Sequence, residues 1–262
     1  MKRILFPLLF ALFTSHVMAK DEAVAFVPPE LTPEVAARYV VYAMVASNSY
    51  HKSDRVKFPV ETLGWIQVDL DGKRTDRPTK VKKSGLAYDI FAKENTNEII
   101  FAFRGTDSFL SDGLWANFAV PPLNVQYKQA RKELAEYLKR HPDKKVTVTG
   151  HSLGGGLALC MSVHYGVDAV VFDSSPRIFD GPGDKHLQAT RVMIYQRGEI
   201  LEKVRKFWTK LFEAVSPENI YTASFDFGKA NRHRSDQLAL KLLDLGKTAD
   251  NMLEEVIKAL PN

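Results

Sequence analysis

Residues 146–160 read VTVTGHSLGGGLALC, which is a short apolar strand, a glycine-rich turn and the start of a helix. Within this stretch Gly150 to Gly154 fits the pattern G-x-S-x-G, and the strand before it and the helix after it are the context that the pattern requires. So sharp a turn holds Ser152 in a strained backbone and lifts its hydroxyl above the sheet. Glycine is needed at positions 150 and 154 because side chains there would collide across the turn. The stretch therefore predicts a nucleophilic serine at the carboxyl end of a strand.

Strand and helix patterns alternate along the rest of the chain. Strands are predicted at 65–70, 85–91, 99–103, 146–149, 169–172, 191–195 and 220–225, and helices from Pro33 after a Thr32 cap, at 125–140, 153–165 and 201–215, and from Ser235 onward. This order is typical of an α/β fold, with a mostly parallel sheet and helices on both faces. The early hairpin predicts an antiparallel N-terminal edge. Since no linker divides the chain, we expect one domain over residues 20–262.

The N-terminus has the three zones of a secretory signal peptide. Lys2 and Arg3 precede an apolar run, Ile4–Phe13, and Val17-Met18-Ala19 offers a small-residue cleavage site. We predict a signal peptide over residues 1–19, cut after Ala19, and hence a secreted or periplasmic protein. The alternative is a membrane anchor, but ten helical residues span about 15 Å, which is half of the roughly 30 Å hydrocarbon core.

Composition excludes several classes of protein. The chain has 262 residues, of which 45% are hydrophobic and 26% charged, as is ordinary for a globular protein. Its 36 basic residues are spread among 31 acidic ones, so we expect no nucleic-acid binding. The single cysteine, Cys160, excludes an internal disulfide and a cysteine-based metal site. We find no metal-binding motif and predict neither a metal nor an organic cofactor; the sequence does not reveal the oligomeric state.

Three ordered blocks resemble the class 3 lipases, which are α/β-hydrolases that include fungal triacylglycerol lipases and bacterial phospholipases. Residues 148–158 (VTGHSLGGGLA) resemble the family's nucleophile segment, 99–108 (IIFAFRGTDS) its oxyanion strand, and 174–180 (SSPRIFD) a third block. The resemblance weakens before residue 84 and after residue 200. It implies an α/β-hydrolase fold and activity on lipid esters. It also implies that the Thr106 N–H completes an oxyanion hole with that of Leu153, which we expect at the helix N-terminus.

A serine nucleophile needs a base to accept its proton, and in this fold the base follows the acid along the chain. His233 comes after the last predicted strand, where the histidine-bearing loop belongs, and we predict that it is the base. The other histidines of the mature chain fail on order or position: His51, His141, His151, His164 and His186. His151 lies inside the turn itself, and we expect its side chain to point away from the serine.

The acid that orients the base is less sharply defined. Glu199 follows the strand at 191–195, where the resembled family usually has aspartate. Glutamate can serve there if its backbone lies about one methylene further back, so we predict Glu199. The alternative is Asp173, which ends the strand at 169–172. Asp226, Glu202 or the absence of any acid remain open.

Three segments suggest contact with lipid. They are an apolar loop at 109–123, an amphipathic basic helix at 201–215 and a basic hairpin at 73–83. Together they predict docking on an anionic membrane surface and a phospholipase A-type activity rather than a triacylglycerol lipase. Each segment could instead simply pack on the body or face solvent. Two rival functions are an acyltransferase with the same triad and a catalytically silent module that binds lipid or a partner.

Overall fold

The elements of the fold are known from a computed structural model that describes residues 30–81, 84–105, 121–176, 188–203, 205, 220–226 and 233–261. The predicted signal peptide, residues 1–19, lies outside these ranges. The strands are β1 (Trp65–Val68), β2 (Thr79–Val81), β3 (Leu86–Lys93), β4 (Glu98–Phe103), β5 (Lys145–His151), β6 (Asp168–Phe172), β7 (Arg191–Gln196) and β8 (Ile220–Phe225). The helices are α1 (Pro33–Asn48), α2 (Pro121–Arg140), α3 (Leu153–Tyr165), α4 (Ser235–Gly246) and α5 (Met252–Lys258), with a 3₁₀ turn at Val60–Leu63.

All eight strands belong to one sheet in the order β1-β3-β4-β5-β6-β7-β8, with β2 also paired to β3. Strands β4 to β8 run parallel, whereas β3 is antiparallel to β1, β2 and β4. This confirms the predicted α/β-hydrolase architecture, including its antiparallel N-terminal edge. The carboxyl ends of β5, β6 and β7 therefore lie side by side, and the segments that follow these strands meet at one edge of the sheet.

Helices cover both faces of the sheet, as predicted. Side chains of α1, α4 and α5 share one hydrophobic core with the sheet, and those of α2 and α3 share the other. Helix α1 begins as expected, because the Thr32 hydroxyl accepts a hydrogen bond from the Val35 N–H and Pro33 is the first helical residue. Of the described helices, none combines the length and the apolar character needed to cross a membrane.

Helix α2 begins at Pro121, four residues before its predicted start. The two prolines at its beginning do not prevent this, because the first-turn N–H groups of a helix have no acceptor within it. Helix α3 matches its predicted bounds and is buried along most of its length. Cys160, in the middle of α3, has no exposed surface.

Candidate active site

Ser152 lies in the turn between β5 and α3, with φ 60° and ψ −127°. Positive φ is unfavourable for a residue with a side chain, and such strain persists only where surrounding packing enforces it. The packing here does so, because a Cβ on Gly150 would overlap the backbone of Gly154, and a Cβ on Gly154 would overlap the Phe103 carbonyl oxygen. Gly150 is thus required for the predicted reason, a collision across the turn, whereas Gly154 is required because the end of β4 passes close to it.

A chain of hydrogen bonds runs from Ser152 through His233 to Glu199. His233 Nε2 lies 2.9 Å from Ser152 Oγ, and His233 Nδ1 lies 3.1 Å from Glu199 Oε2. An ionised carboxylate only accepts hydrogen bonds, so Nδ1 carries the proton and Nε2 is left to accept from the serine hydroxyl. This is the arrangement in which an imidazole can take the proton of a serine while an acid fixes its orientation. The structure thus brings together the three residues that the sequence analysis selected.

The Glu199 carboxylate is buried and has further partners. Arg205 Nη2 lies 2.6 Å from Oε1, and the Leu201 N–H donates to Oε2 over 2.7 Å. Arg205 also donates from Nη1 to the Ser174 carbonyl, 2.6 Å away. A buried carboxylate needs such compensation. Arg205 was not among the predicted site residues, since it lies on the polar side of the predicted helix 201–215. The available signal was a cation in the first turns after the predicted acid.

The segment that carries His233 is tied to α1 and the loop after it. Arg234 donates to both Asp236 carboxylate oxygens, over 2.9 and 2.6 Å, and to the Asp54 carbonyl over 2.8 Å. Burial raises the pKa of Asp236, but the hydrogen bonds and charge of Arg234 and the N–H of Val56 outweigh it, so the pKa lies below its usual value. An ionised Asp236 therefore holds Arg234, the residue after His233, and binds the Val56 N–H.

His151 contacts Tyr50, a residue that was not predicted from the sequence. Its Nδ1 lies 2.9 Å from the Tyr50 hydroxyl, and its ring centroid is 4.7 Å from that of His233. Burial lowers the pKa of His151 well below its usual value, and the nearby His233 and Arg55 lower it further. His151 is therefore a neutral ring that lies against the ring of His233.

Asp173, the alternative acid, lies directly after β6 with φ 41° and no exposed surface. Its Oδ1 accepts a hydrogen bond from the Gln196 N–H over 2.8 Å, and its Oδ2 lies 3.8 Å from His151 Nε2. The hydrogen bond of His233 Nδ1 goes instead to Glu199. In this structure Glu199 is thus the carboxylate that is hydrogen-bonded to His233, while Asp173 accepts a hydrogen bond from the Gln196 N–H.

One group of possible metal ligands occurs among the described residues. It consists of His151, Asp173 and His233, each with a donor atom within 4.8 Å of the others. Both ring nitrogens of His233 already face Ser152 and Glu199. We therefore interpret this group as part of the acid–base arrangement.

Two groups were expected to form an oxyanion hole. Leu153 is the first residue of α3, where the N–H has no acceptor within the helix and the helix dipole favours negative charge. Thr106 lies outside the described residues. Gly105, directly before it, passes beside the nucleophile, since a Cβ there would lie 3.3 Å from Ser152 Cβ.

An α/β-hydrolase sheet with a serine on a strained strand–helix turn, backed by histidine and a carboxylate, defines a serine hydrolase. The sequence of residues 41–207 matches the profile of the phospholipase-like family described as the Tle-like phospholipase domain, and the chain belongs to this family. It is therefore a serine ester hydrolase of the lipase and phospholipase class.

Solved structures with a similar fold include fungal lipases. The lipase of Rhizopus microsporus var. chinensis is 18% identical, with a TM-score of 0.45 over 67% of this chain and 70% of that one. Lipase II of Rhizopus niveus is 19% identical, with a TM-score of 0.47 over 66% and 76%. Lip2 lipase of Yarrowia lipolytica is 16% identical, with a TM-score of 0.42 over 76% and 80%. No curated protein matches the sequence significantly.

Proposed function

We propose that the chain is an exported phospholipase A-type esterase in which Ser152 is the nucleophile, His233 the base and Glu199 the acid. The observation that carries this proposal is the pair of hydrogen bonds that joins these three side chains at the strained turn. Neither a metal nor an organic cofactor takes part in the proposed mechanism.

The first half of the reaction forms an acyl-enzyme. Ser152 Oγ attacks the ester carbonyl carbon while His233 Nε2 takes the hydroxyl proton, and the N–H groups of Leu153 and Thr106 stabilise the developing oxyanion. The tetrahedral intermediate then collapses, and the C–O bond to the lipid alcohol breaks. His233 returns its proton to that oxygen, so a lysolipid leaves and the acyl group stays on Ser152. Glu199 stabilises the imidazolium in between.

The second half releases the fatty acid. A water molecule gives its proton to His233 Nε2 as its oxygen attacks the acyl carbon, and Ser152 leaves with that proton when the intermediate collapses. The same His233 therefore acts twice in each turnover, and the net reaction consumes one water and one ester bond. An alcohol in place of water would give acyl transfer by the same steps.

The preference for an anionic phospholipid surface is supported by exposed positive charge on the segment before β2. Lys73, Arg74 and Arg77 are exposed and immediately precede β2. Arg74 bridges Val68 of β1, which pairs with Ile90 of β3, so this segment lies along the antiparallel edge of the sheet. The remaining support comes from the phospholipase family. The apolar loop 109–123 and most of the helix 201–215 lie outside the described side chains.

Export is supported by the sequence of residues 1–19 alone. We expect that the protein recovered after expression with its own N-terminus begins at Lys20. N-terminal sequencing or intact mass of protein from the periplasm and from the medium tests both the cleavage and the destination. Retention of the full-length chain in the membrane fraction would favour the anchor instead.

The decisive experiment compares substrates for the purified mature protein. Vesicles of phospholipid labelled separately at each acyl position, triglyceride emulsion and a short soluble ester are offered in parallel, with and without an added alcohol. A phospholipase A releases labelled fatty acid from vesicles faster than from triglyceride. Transfer of the acyl group to the alcohol in preference to water would support the acyltransferase. If no substrate is cleaved and a fluorophosphonate does not label Ser152, the chain is a silent binding module.

A further inference from the structure

Two carboxyl groups lie behind His233, at the ends of adjacent strands. Asp173 is the first residue after β6, and Glu199 follows the end of β7, which pairs with β6. Glu199 is hydrogen-bonded to His233 Nδ1. A carboxylate oxygen of Asp173 and a ring nitrogen of His233 are separated by no more than 4.8 Å. Asp173 is therefore a second carboxyl group close to the His233 ring.

The second carboxylate oxygen of Asp173, Oδ2, has an unusual environment for a buried carboxyl group. Asp173 Oδ2 and His151 Nε2 are both buried, neither has a hydrogen-bond partner among the described residues, and they face each other at 3.8 Å. Buried polar atoms in native proteins are nearly always satisfied. A structural carboxyl group would be expected to use both oxygens, so this arrangement calls for a functional explanation.

Electrostatics explain why Asp173 is idle in the native site. Burial raises its pKa well above the usual range, and the negative charge of Glu199 raises it further, against the opposing effects of the Gln196 N–H and Arg205. Two nearby carboxyl groups do not both ionise readily. Burial and the neighbouring Glu199 therefore favour the neutral form of Asp173, whereas Glu199 has the guanidinium of Arg205 beside it.

We propose that Asp173 is a second acid for the same base, which takes over the imidazolium of His233 when Glu199 carries no charge. This inference rests on the proposed function, because it assumes that His233 becomes protonated during turnover. Without the charge on Glu199, the repulsion that adds to the effect of burial on Asp173 disappears, and the Gln196 N–H and the charge of Arg205 still favour its ionised form. The Asp173 carboxylate then lies within reach of the cation that forms on His233.

His151 supplies a further reason why Asp173 can carry charge. When the Tyr50 hydroxyl donates to His151 Nδ1, the ring proton must sit on Nε2, which faces Asp173 Oδ2. An ionised Asp173 therefore faces the Nε2–H group of His151 rather than the lone pair of that nitrogen. The described titratable or charged groups that face Asp173 are Glu199, Arg205, His151 and His233.

The test is a double-mutant cycle on a soluble ester, with wild type, Glu199→Gln, Asp173→Asn and the double variant. We expect Asp173→Asn alone to lower kcat by less than about tenfold, and the double variant to fall at least tenfold below Glu199→Gln. The isosteric amide keeps the bond from Gln196. Asp173→Ser serves as a second variant, and thermal unfolding verifies that each protein is folded.

A matched control is Asp89→Asn in the Glu199→Gln background. Asp89 is also buried and its pKa is raised by burial, but it lies on β3 and bonds to His51 Nε2 at 2.6 Å, not to the base. We expect this control to keep the residual activity of Glu199→Gln. An equal loss from the Asp89 and Asp173 substitutions would indicate general destabilisation and overturn the proposal.

The pH profile separates a second acid from a structural residue. The base must be unprotonated in every variant, so every profile declines toward acid; the signature of Asp173 is that the rate of Glu199→Gln relative to the double variant falls toward one as Asp173 becomes protonated. If Glu199→Gln and the double variant agree within about twofold at every pH, Asp173 is no acid. That result would overturn the second acid and leave the proposed function unchanged. The proposed function would be overturned instead if Ser152→Ala hydrolysed the ester as fast as wild type.

Discussion

Arg205 binds the carboxylate oxygen of Glu199 that His233 does not use, with 2.6 Å between Nη2 and Oε1. Both side chains are largely buried, at 11% and 0% exposure. The orienting acid is thus held from two sides, by the imidazole and by a guanidinium that also binds the Ser174 carbonyl. The position of His233 depends on a residue that touches no reacting atom.

Replacing Arg205 with Gln is therefore expected to destabilise the protein. Breaking a buried ion pair leaves an uncompensated charge and typically costs about 3–5 kcal/mol. Denaturant unfolding measures this loss. Arg197→Gln is the matched control, because its 3.9 Å pair with Glu30 is exposed and should be worth less than about 1 kcal/mol. A loss at Arg205 no larger than that at Arg197 would contradict the interpretation.

Ser152→Ala should abolish ester hydrolysis and labelling by a fluorophosphonate. The substitution removes one hydroxyl and leaves the glycines that shape the turn in place. We therefore expect an unfolding midpoint close to that of wild type, measured by circular dichroism. Ester turnover within tenfold of wild type would exclude the proposed mechanism.

Glu199→Gln should lower kcat by about 10³–10⁴-fold, as does loss of the orienting acid in serine triads. Asp173→Asn should do much less, since the hydrogen bond of His233 Nδ1 goes to Glu199. Steady-state kinetics on a soluble ester give both values. The opposite ranking would make Asp173 the principal acid.

Asp236→Asn is expected to destabilise the protein at neutral pH only. Because the folded pKa of Asp236 is lowered, its ionised form contributes stability above the unfolded value of about 3.9, and this is lost as pH falls through the folded pKa. The difference from wild type should be about 1–3 kcal/mol at pH 7 and shrink below about pH 4.

The control for this prediction is Asp244→Asn. A hydrogen bond from Lys247 also lowers the pKa of Asp244, but that carboxylate is 58% exposed. Its replacement should cost well under 1 kcal/mol at any pH. Unfolding in urea at several pH values compares the two variants, and a pH-independent loss at Asp236 would show that its charge is not what matters.

Hydrolysis of anionic vesicles should depend on the basic segment before β2. Each surface cation contributes about 1 kcal/mol of attraction, so replacing Lys73, Arg74 and Arg77 together with Gln should weaken vesicle binding about 10²-fold. The wild-type rate on vesicles should also fall between about 0.05 and 0.5 M salt, while that on a soluble ester should not.

A control triple variant tests whether position or total charge matters. Lys139, Lys144 and Lys145 lie around the start of β5, at the edge of the sheet opposite Ser152. Changing them to Gln removes the same charge and should leave vesicle binding nearly unchanged. If the two triple variants weaken vesicle binding equally in a sedimentation assay, net charge and not a particular surface accounts for the binding.

Local patterns were sufficient to predict much of the fold. The strand before Ser152 and the helix after it follow from a short apolar run and a glycine-rich turn, and α3 has its predicted bounds. Chain order likewise selected Glu199 and His233, because parallel strands bring the segments after them to one edge. Their catalytic roles remain predictions that the substitutions above test.

Contacts between residues far apart in the sequence could not be predicted from such local patterns. Tyr50 and His151 are 101 positions apart, and their hydrogen bond depends on how the end of α1 packs against the sheet. In the sequence, Arg205 is one of several cations in a basic helical pattern. Its pairing with Glu199 depends on the path of the chain after β7, which the pattern does not give. The start of α2 was missed because prolines usually indicate a loop, and only their place in the first turn makes them compatible with a helix.

The burial of Cys160 gives the molecule a reporter of its own unfolding. It is the chain's single thiol, and it sits without exposed surface on the helix whose first turn adjoins Ser152. A thiol reagent can therefore reach it only when that helix opens. The rate of modification measures how often the nucleophile loses its support, and it can be followed in each variant without adding a dye or a tag.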